Sequence, residues 1–429
     1  MPPAVILIGS FLLLVLIGVP ISFCLGIASI VTALSMGFPP VVVAHRVVVG
    51  MQSFPLVAIP LFILAGSIMA RGGVARRIVD FAYLLVGPFR GGLAMVNCIQ
   101  AMFFGGVSGS ALADISSAGP ILIPMMTQKG YDKEFSTALT IAASTQGIII
   151  PPSQNMIIYA MAAGGVSVGA LFLAGYIPGI MIGVGLMITS YVIAVKRGYP
   201  REKRPPLRQS VRIMVDGVLA LFAAVVIVGG IAFGIFTATE ASAVAVIYSA
   251  ILGLFVYREL HLRDLWFVLV DSVKIISTVM FLIGSAAAFG WLLALLEVPA
   301  TVTAAFAAIG GGPIVMLLLM NLLLILLGMI MDVAPLIVIT TPILLPVAIA
   351  AGMSPVTFGI VLLLNLGIGL TTPPVGTGLF VGCAVGGTTI ESTTRAMVKF
   401  WPAMLAVLLL STFVPWFTEF LPKLIMHTS

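Results

Sequence analysis

At 429 residues the chain is long enough for a large core, yet 61% of it is hydrophobic, only 8% is charged, and its mean hydropathy is +1.25. A water-soluble domain carries roughly a quarter charged residues, so this composition excludes a soluble fold and defines an integral membrane protein. The net charge of +6 falls in loops between apolar runs and is no nucleic-acid footprint, while runs of about 20 residues mark spanning helices rather than a barrel's alternation.

Residues 4–34 are too long for one untilted span, and Pro20 splits them into two short ones. No Lys or Arg precedes Arg46, so the basic region of a signal peptide is lacking and the first run is expected to be retained. A third span covers 52–70 and ends at Arg71, Arg76 and Arg77. Residues 79–89 form an amphipathic piece lying along the interface. Residues 95–104 and 115–126 are each too short to cross about 30 Å of hydrocarbon. Joined by Gly and Ser at 105–110, they predict a re-entrant hairpin, whose non-helical tip survives only where protein or a water-filled cavity satisfies its backbone. The chain then runs apolar over 134–150, breaks at Pro151-Pro152, and resumes over 155–163 as one span in two half-helices. Residues 171–195 lead into KRGYPREKRPPLR (196–208), extended by Arg212. Seven Lys/Arg against one Glu assign this loop to the cytoplasm.

The second half repeats the first. At an offset of 222 (342 − 120), Pro120 falls on Pro342, Pro124 on Pro346, Gly130 on Gly352 and Gly147 on Gly369. Pro151-Pro152 falls on Pro373-Pro374, and Gly164-Gly165 on Gly386-Gly387. So many backbone-breaking residues at one ungapped offset indicate an internal duplication. Spans at 218–236, 241–256 and 265–297 are followed by an interfacial piece (302–309). A second hairpin has arms 313–330 and 336–350 around Asp332, and a second broken span covers 356–370 and 375–385. A last span, 401–417, follows. Counted from the basic loop, the first hairpin opens from the cytoplasm, where Arg90, Lys129 and Lys133 sit. The second opens from the other side through an uncharged mouth. The expected fold is an all-α polytopic membrane protein of inverted repeats, with about ten spans and two opposed re-entrant hairpins. Residues 1–195 form one repeat, 196–212 the cytoplasmic linker and 213–429 the other.

Inverted repeats with discontinuous helices place substrate and coupling-ion sites near the midplane. After each Pro pair a half-helix presents free N–H groups and partial positive charge, and the unwound backbone and hydroxyls before it offer hard oxygen ligands. The polar set is Ser108, Ser110, Asp114, Ser116, Ser117, Ser144, Thr145, Ser153, Gln154 and Asn155 in the first half. In the second it is Asp332, Thr340, Thr341, Asn365, Thr371, Thr372 and Thr377. Neither set contains Lys or Arg, so an anionic substrate would meet helix N-termini and amides while Na⁺ or H⁺ supplies positive charge. Asp114 is assigned to bracing the hairpin tip, and Asp332 is left open between cation binding and bracing. Glu240 is placed at an exposed turn. Cys24, Cys98 and Cys383 lie in apolar runs, and His45, His261 and His427 have no ligand spacing, so no transition-metal site or cofactor is expected.

The motifs GGVSGSALADISSAGPILIP (105–124), IPPSQNMIIYA (150–160), GMIMDVAPLIVITTPILLP (328–346) and NLGIGLTTPPVGTGLFVG (365–382) resemble the large membrane subunit of tripartite ATP-independent periplasmic (TRAP) transporters. The resemblance implies an elevator in the bacterial inner membrane, with a mobile domain holding both hairpins and two sodium sites. It implies a small four-helix membrane subunit and a periplasmic substrate-binding protein as separate partners. The implied substrates are small organic acids: dicarboxylates, sugar acids, sialic acid or keto acids. The first sodium site would involve Ser108, Ser110, Gly147, Pro151 and Asn155. The second would involve Asp332, Gly369, Thr371, Thr372 and Thr377. Ser116, Ser153, Gln154, Asn155, Thr340 and Asn365 form the substrate region.

Two rival readings use the same residues. A stand-alone inverted-repeat transporter would lack the binding protein. An intramembrane aspartyl protease would need Asp114 and Asp332 paired on facing spans, whereas each sits in its own Gly/Ser-rich hairpin. No nucleotide-binding loop is present, which argues against ATP-driven pumping. The inverted topology predicts that, in a background lacking the three native cysteines, a cysteine at Lys133 labels from the cytoplasm and one at Ser354 from the periplasm. Labelling of both from one side contradicts it.

Overall fold

The computed structural model describes residues 2–201 and 206–426; part of the basic linker, including Lys203 and Arg204, and His427 lie outside the described residues. Helices α1 (Pro3–Leu16) and α2 (Ile21–Ser35) are divided at Pro20 as expected. Helix α3 (Pro40–Met51) leads through a 3-10 turn (Phe54–Val57) into α4 (Ala58–Arg71), with a 68° bend between the two. The expected third span, 52–70, therefore starts earlier. Pro40 suits a first helical position, where no N–H is needed, and Pro55 marks the bend.

Helix α5 (Val74–Val86) begins earlier than the expected 79–89, because Gly73 at φ 79° turns the chain into it. The first hairpin is α6 (Gly92–Ser108) and α7 (Ala111–Gln128), turned at Gly109 (φ 62°) and Ser110. Its arms are 17 and 18 residues long, longer than the predicted 95–104 and 115–126. Gly105 and Gly106 continue the helix instead of ending it, since neighbouring backbone packs against their bare Cα atoms. The broken span follows as α8 (Lys133–Ser144), the short α9 (Gln146–Ile149) and α10 (Gln154–Ala162), and α11 (Val168–Arg197) completes the half.

The second half opens with α12 (Leu207–Ala232), then α13 (Ala238–Ile251), which runs on into a π turn (Leu252–Val256), and α14 (Leu262–Leu295). Helix α15 (Val298–Ala308) bends by 119° into α16 (Gly312–Gly328), the first arm of the second hairpin, and α17 (Val333–Ala350) is the other. The second broken span is α18 (Pro355–Gly369) and α19 (Thr377–Gly386). Its second half starts at Thr377 rather than at the expected 375, because Gly376 at φ 47° makes the turn into the helix. The expected last span, 401–417, is α21 (Trp401–Phe413), which stops short at Val414-Pro415; α20 (Ile390–Met397) precedes it at a bend of 57°, and α22 (Trp416–Met426) is a further helix. Glu240 is exposed and closes a capping box with Thr237 at the start of α13.

The 222-residue offset reappears in the helices themselves. Helix α17 overlies α7 end to end (333 − 111, 350 − 128), and α18, α20 and α14 start at the same offset from α8, α11 and α3. One departure has a covalent cause. Ser277 stands where the first half has Pro55 (277 − 55), so α14 runs 34 residues without the bend that separates α3 from α4.

Among the described residues, five single helices are long and apolar enough to cross a membrane, or up to eight spans if each bent pair counts once. The short apolar α1 and α2 and the broken helices bring the architecture toward the expected ten. The two broken spans form its centre: every residue from Thr357 to Gly369 and from Phe135 to Ser144 is buried. Helices α1, α2, α12 and α14 instead turn residues such as Leu16, Phe233 and Trp266 outward, as a lipid-facing surface requires.

Glycine meets glycine where each hairpin crosses its broken span. A methyl on Gly105 would stand 2.6 Å from Gly147 Cα, and one on Gly369 2.6 Å from Gly328 Cα. Gly105→Ala and Gly369→Ala are each expected to destabilise by roughly 1–3 kcal/mol through overpacking. Gly290→Ala, where nothing lies within 4 Å, is expected to be neutral or stabilising. Thermal unfolding in detergent checks the ranking.

Candidate functional site

Each helix break is tied to the tip of the hairpin from its own half. In the first half, Asn155, near the start of α10, donates its side-chain N–H to the Gly109 carbonyl at 3.3 Å. In the second half the same job falls to the backbone. The N–H groups of Val375 and Gly376 donate to the Met329 carbonyl at 3.2 and 3.0 Å, and Thr377 Oγ1 donates to Asp332 Oδ1 at 3.4 Å. Asn155 and Thr377 are equivalent (377 − 155), as are Ser110 and Asp332 (332 − 110). Ser110 and Asp332 also occupy the same position, immediately before the first turn of α7 and α17.

The expected first-site residues come together. The Gly105–Gly147 crossing sets the α6 backbone on the kink of the broken span, and a methyl on Gly106 would stand 2.8 Å from the Pro151 carbonyl oxygen. Ser108 and Ser110 lie at the tip, within reach of each other. The second site assembles likewise from the Gly328–Gly369 crossing, Thr371, Thr372, Asp332 and Thr377. The Pro151-Pro152 and Pro373-Pro374 bonds are both cis. Break hydroxyls donate locally: Ser153 to Ile148 O at 2.7 Å, and Thr371 and Thr372 to Ile368 O at 2.8 Å each. Donation consumes only the hydroxyl proton and leaves lone pairs for a cation. Thr371 Oγ1 also accepts the Trp401 indole N–H at 3.2 Å.

The substrate region does not assemble as one set. Ser108, Ser110 and Gln154 line a cavity of about 160 Å³ with Ser67 of α4 and Ile275 of α14. Ser116 is exposed along α7. Thr340 is buried and donates to Leu336 O at 2.7 Å. Asn365 faces away into a network: it donates to Asn321 Oδ1 at 2.8 Å, and Asn321 donates to Thr412 Oγ1 at 3.1 Å. Its own Oδ1 is buried without a partner among the described atoms.

Asp114 sits one turn inside the tip, 2% exposed, and accepts a hydrogen bond from Gln100 of α6 at 3.0 Å. It therefore joins the two arms rather than receiving backbone N–H groups at the tip. Its counterpart in the second half is Leu336 (336 − 114), not Asp332. Asn97, Gln100, Gln146 and Asn321 were not singled out in the sequence. All four are buried, and Asn97 donates to Thr140 Oγ1 at 2.7 Å across α6 and α8. The available signal was an uncharged amide inside an apolar run, a residue that must find a partner at membrane depth.

Residues 8–417 match the family model described as tripartite ATP-independent periplasmic transporter, DctM component. The chain is 41% identical to the uncharacterised protein YgiK of Salmonella typhimurium, covering 98% of both. It is 39% identical to the C4-dicarboxylate TRAP transporter large permease protein DctM of Pseudomonas aeruginosa, covering 87% of both. It is also 39% identical to the isethionate TRAP transporter permease protein DctMQ of Oleidesulfovibrio alaskensis, over 96% of this chain and 65% of that longer one. In fold it is similar to the crystal structure of the YdaH transporter of Alcanivorax borkumensis, with a TM-score of 0.63 at 15% identity over 86% and 87% of the two chains.

The Gln100–Asp114 pair yields a test. Gln100→Leu strips the buried carboxyl of its side-chain donor and is expected to cost about 1–3 kcal/mol or more. The second half carries Leu336 at the Asp114 position (336 − 114) and Leu322 at that of Gln100 (322 − 100). Gln100→Leu/Asp114→Leu should therefore recover most of the loss, as thermal unfolding of the single and double variants will show.

Proposed function

Because this chain belongs to the DctM component family of tripartite ATP-independent periplasmic transporters, we propose that it is a sodium-coupled subunit that imports small organic anions by an elevator movement. The observation that carries the reading is the pairing of each helix break with a hairpin tip, at two equivalent places. Each pairing gathers carbonyls and hydroxyls, the hard oxygen donors that suit Na⁺. Ser108, Ser110, Gly147, Pro151 and Asn155 are proposed for one ion, and Asp332, Gly369, Thr371, Thr372 and Thr377 for the other.

The substrate is proposed to enter the cavity lined by Ser67, Ser108, Ser110 and Gln154. Among the described residues no Lys or Arg lines it, so an anion there would be held by hydroxyls, an amide and the N-terminal end of α10, with bound Na⁺ balancing its charge. Two of the three relatives carry isethionate and C4-dicarboxylates in their names, a sulfonate and dicarboxylates, which supports an organic anion without selecting one. Movement is supported by where the cavities lie. The 160 Å³ cavity and a second of about 360 Å³ both separate scaffold helices from a hairpin and α10: α4 and α14 in the first, α3 and α14 in the second. A small membrane subunit and a periplasmic binding protein are the proposed partners, and a multi-pass place in the inner membrane follows from the same reading.

Reconstituted with its partners, the chain should take up substrate only under an inward Na⁺ gradient and without ATP. Full uptake in choline on a proton gradient alone refutes sodium coupling. Asp332→Asn keeps shape and removes charge, so it should raise the Na⁺ concentration for half-maximal uptake and be partly rescued by more Na⁺. An unchanged Na⁺ midpoint in a folded, active variant removes Asp332 from the site.

A further inference from the structure

Where α11 runs into the basic linker, a cavity of about 450 Å³ opens between this helix and the turn joining α20 to α21. Its wall is apolar and faces outward: Ile188 and Val192, one turn apart on α11, are 60% and 45% exposed. Its rim is cationic, with Lys196 and Arg197 from α11 and Lys399 from the turn. Arg197 is ion-paired with Asp132 and donates to the Tyr199 hydroxyl at 3.1 Å. Among the described residues no acidic side chain pairs with Lys196 or Lys399. The rim therefore holds three positive charges against the single negative charge of Asp132.

Beside the rim lies a packed aromatic cluster. The Tyr199 ring lies 4.2 Å from Tyr131 and 5.6 Å from Phe135, and Phe135 lies 5.8 Å from Phe400, the neighbour of Lys399. The cationic rim is thus carried on one packed aromatic cluster that joins the ends of both helices. An outward apolar wall ending in a basic rim suits a molecule with a hydrocarbon tail and an anionic head. A soluble anion would leave the wall uncovered, and a zwitterionic lipid would leave the charge uncompensated.

We propose that this groove is a binding site for one anionic phospholipid, with its phosphate on Lys196 and Lys399 and an acyl chain along Ile188 and Val192. The site is independent of the sodium and substrate sites, since it shares no residue with them. Phosphatidylglycerol and phosphatidylcholine, titrated separately into the full chain in detergent and read by native mass spectrometry, test it. Phosphatidylglycerol should form a one-lipid adduct at least about tenfold more tightly than phosphatidylcholine. Each basic side chain near an anionic headgroup is worth about fivefold in affinity, so Lys196→Gln/Lys399→Gln should weaken the adduct about 25-fold. Both side chains are exposed, so the thermal unfolding midpoint in lipid-free detergent should not move. Val192→Trp fills the groove without changing charge and should also weaken the adduct, whereas Lys423→Gln on α22 should not. Equal binding of the two lipids, an adduct unchanged in the double variant, or competition by glycerol 3-phosphate as strong as by the intact lipid would each overturn the proposal.

Discussion

The structure depends on one constraint: a backbone N–H or C=O that leaves helical pairing at membrane depth must find a partner inside the protein. Two breaks in the middle of the bundle, at 150–153 and 370–376, release such groups. They are tolerable because a hairpin tip covers each one. The approach this needs is closer than any side chain permits, so glycine meets glycine at 105 with 147 and at 328 with 369. Burial of both broken spans follows from the same need, and so does the location of the oxygens proposed to bind an ion.

The two halves meet that constraint with different chemistry. In the first, a side-chain amide, Asn155, reaches a tip carbonyl. In the second, the backbone at 375 and 376 does so, which frees Thr377 to meet Asp332. A serine in one half therefore corresponds to an aspartate in the other, so the two proposed sites, built on one plan, differ by a carboxyl group. The buried amides diverge as well: Gln100 with Asp114 binds arm to arm, while Asn321 with Asn365 and Thr412 binds an arm to the broken span and to α21. Such buried hydrogen bonds oppose relative sliding inside the central unit. At the scaffold contact by the two cavities Ser53 donates to Met161 Sδ at 3.7 Å, and the proposed moving boundary lies there.

Residue type and spacing alone determined much of this protein. Composition placed it in the membrane, since no arrangement of 8% charged residues could cover a water-facing surface. The matched Pro and Gly positions set the duplication, both hairpins and both broken spans, because those residues act on their own backbone whatever surrounds them. The four motifs also carried the family. Only the tertiary structure decided the rest, because it depends on contacts between residues far apart in the chain. Periodicity could not show that Gly105 continues its helix, since the reason is Gly147 lying against it. Nor could it separate Asp114 from Asp332, two acids in two similar hairpins. One is paired with an amide 14 positions before it and the other with a hydroxyl 45 positions after it. Ser116, Thr340 and Asn365 lie outside the cavity that Gln154 lines, and which way a helical side chain points is settled by the neighbours its helix packs against.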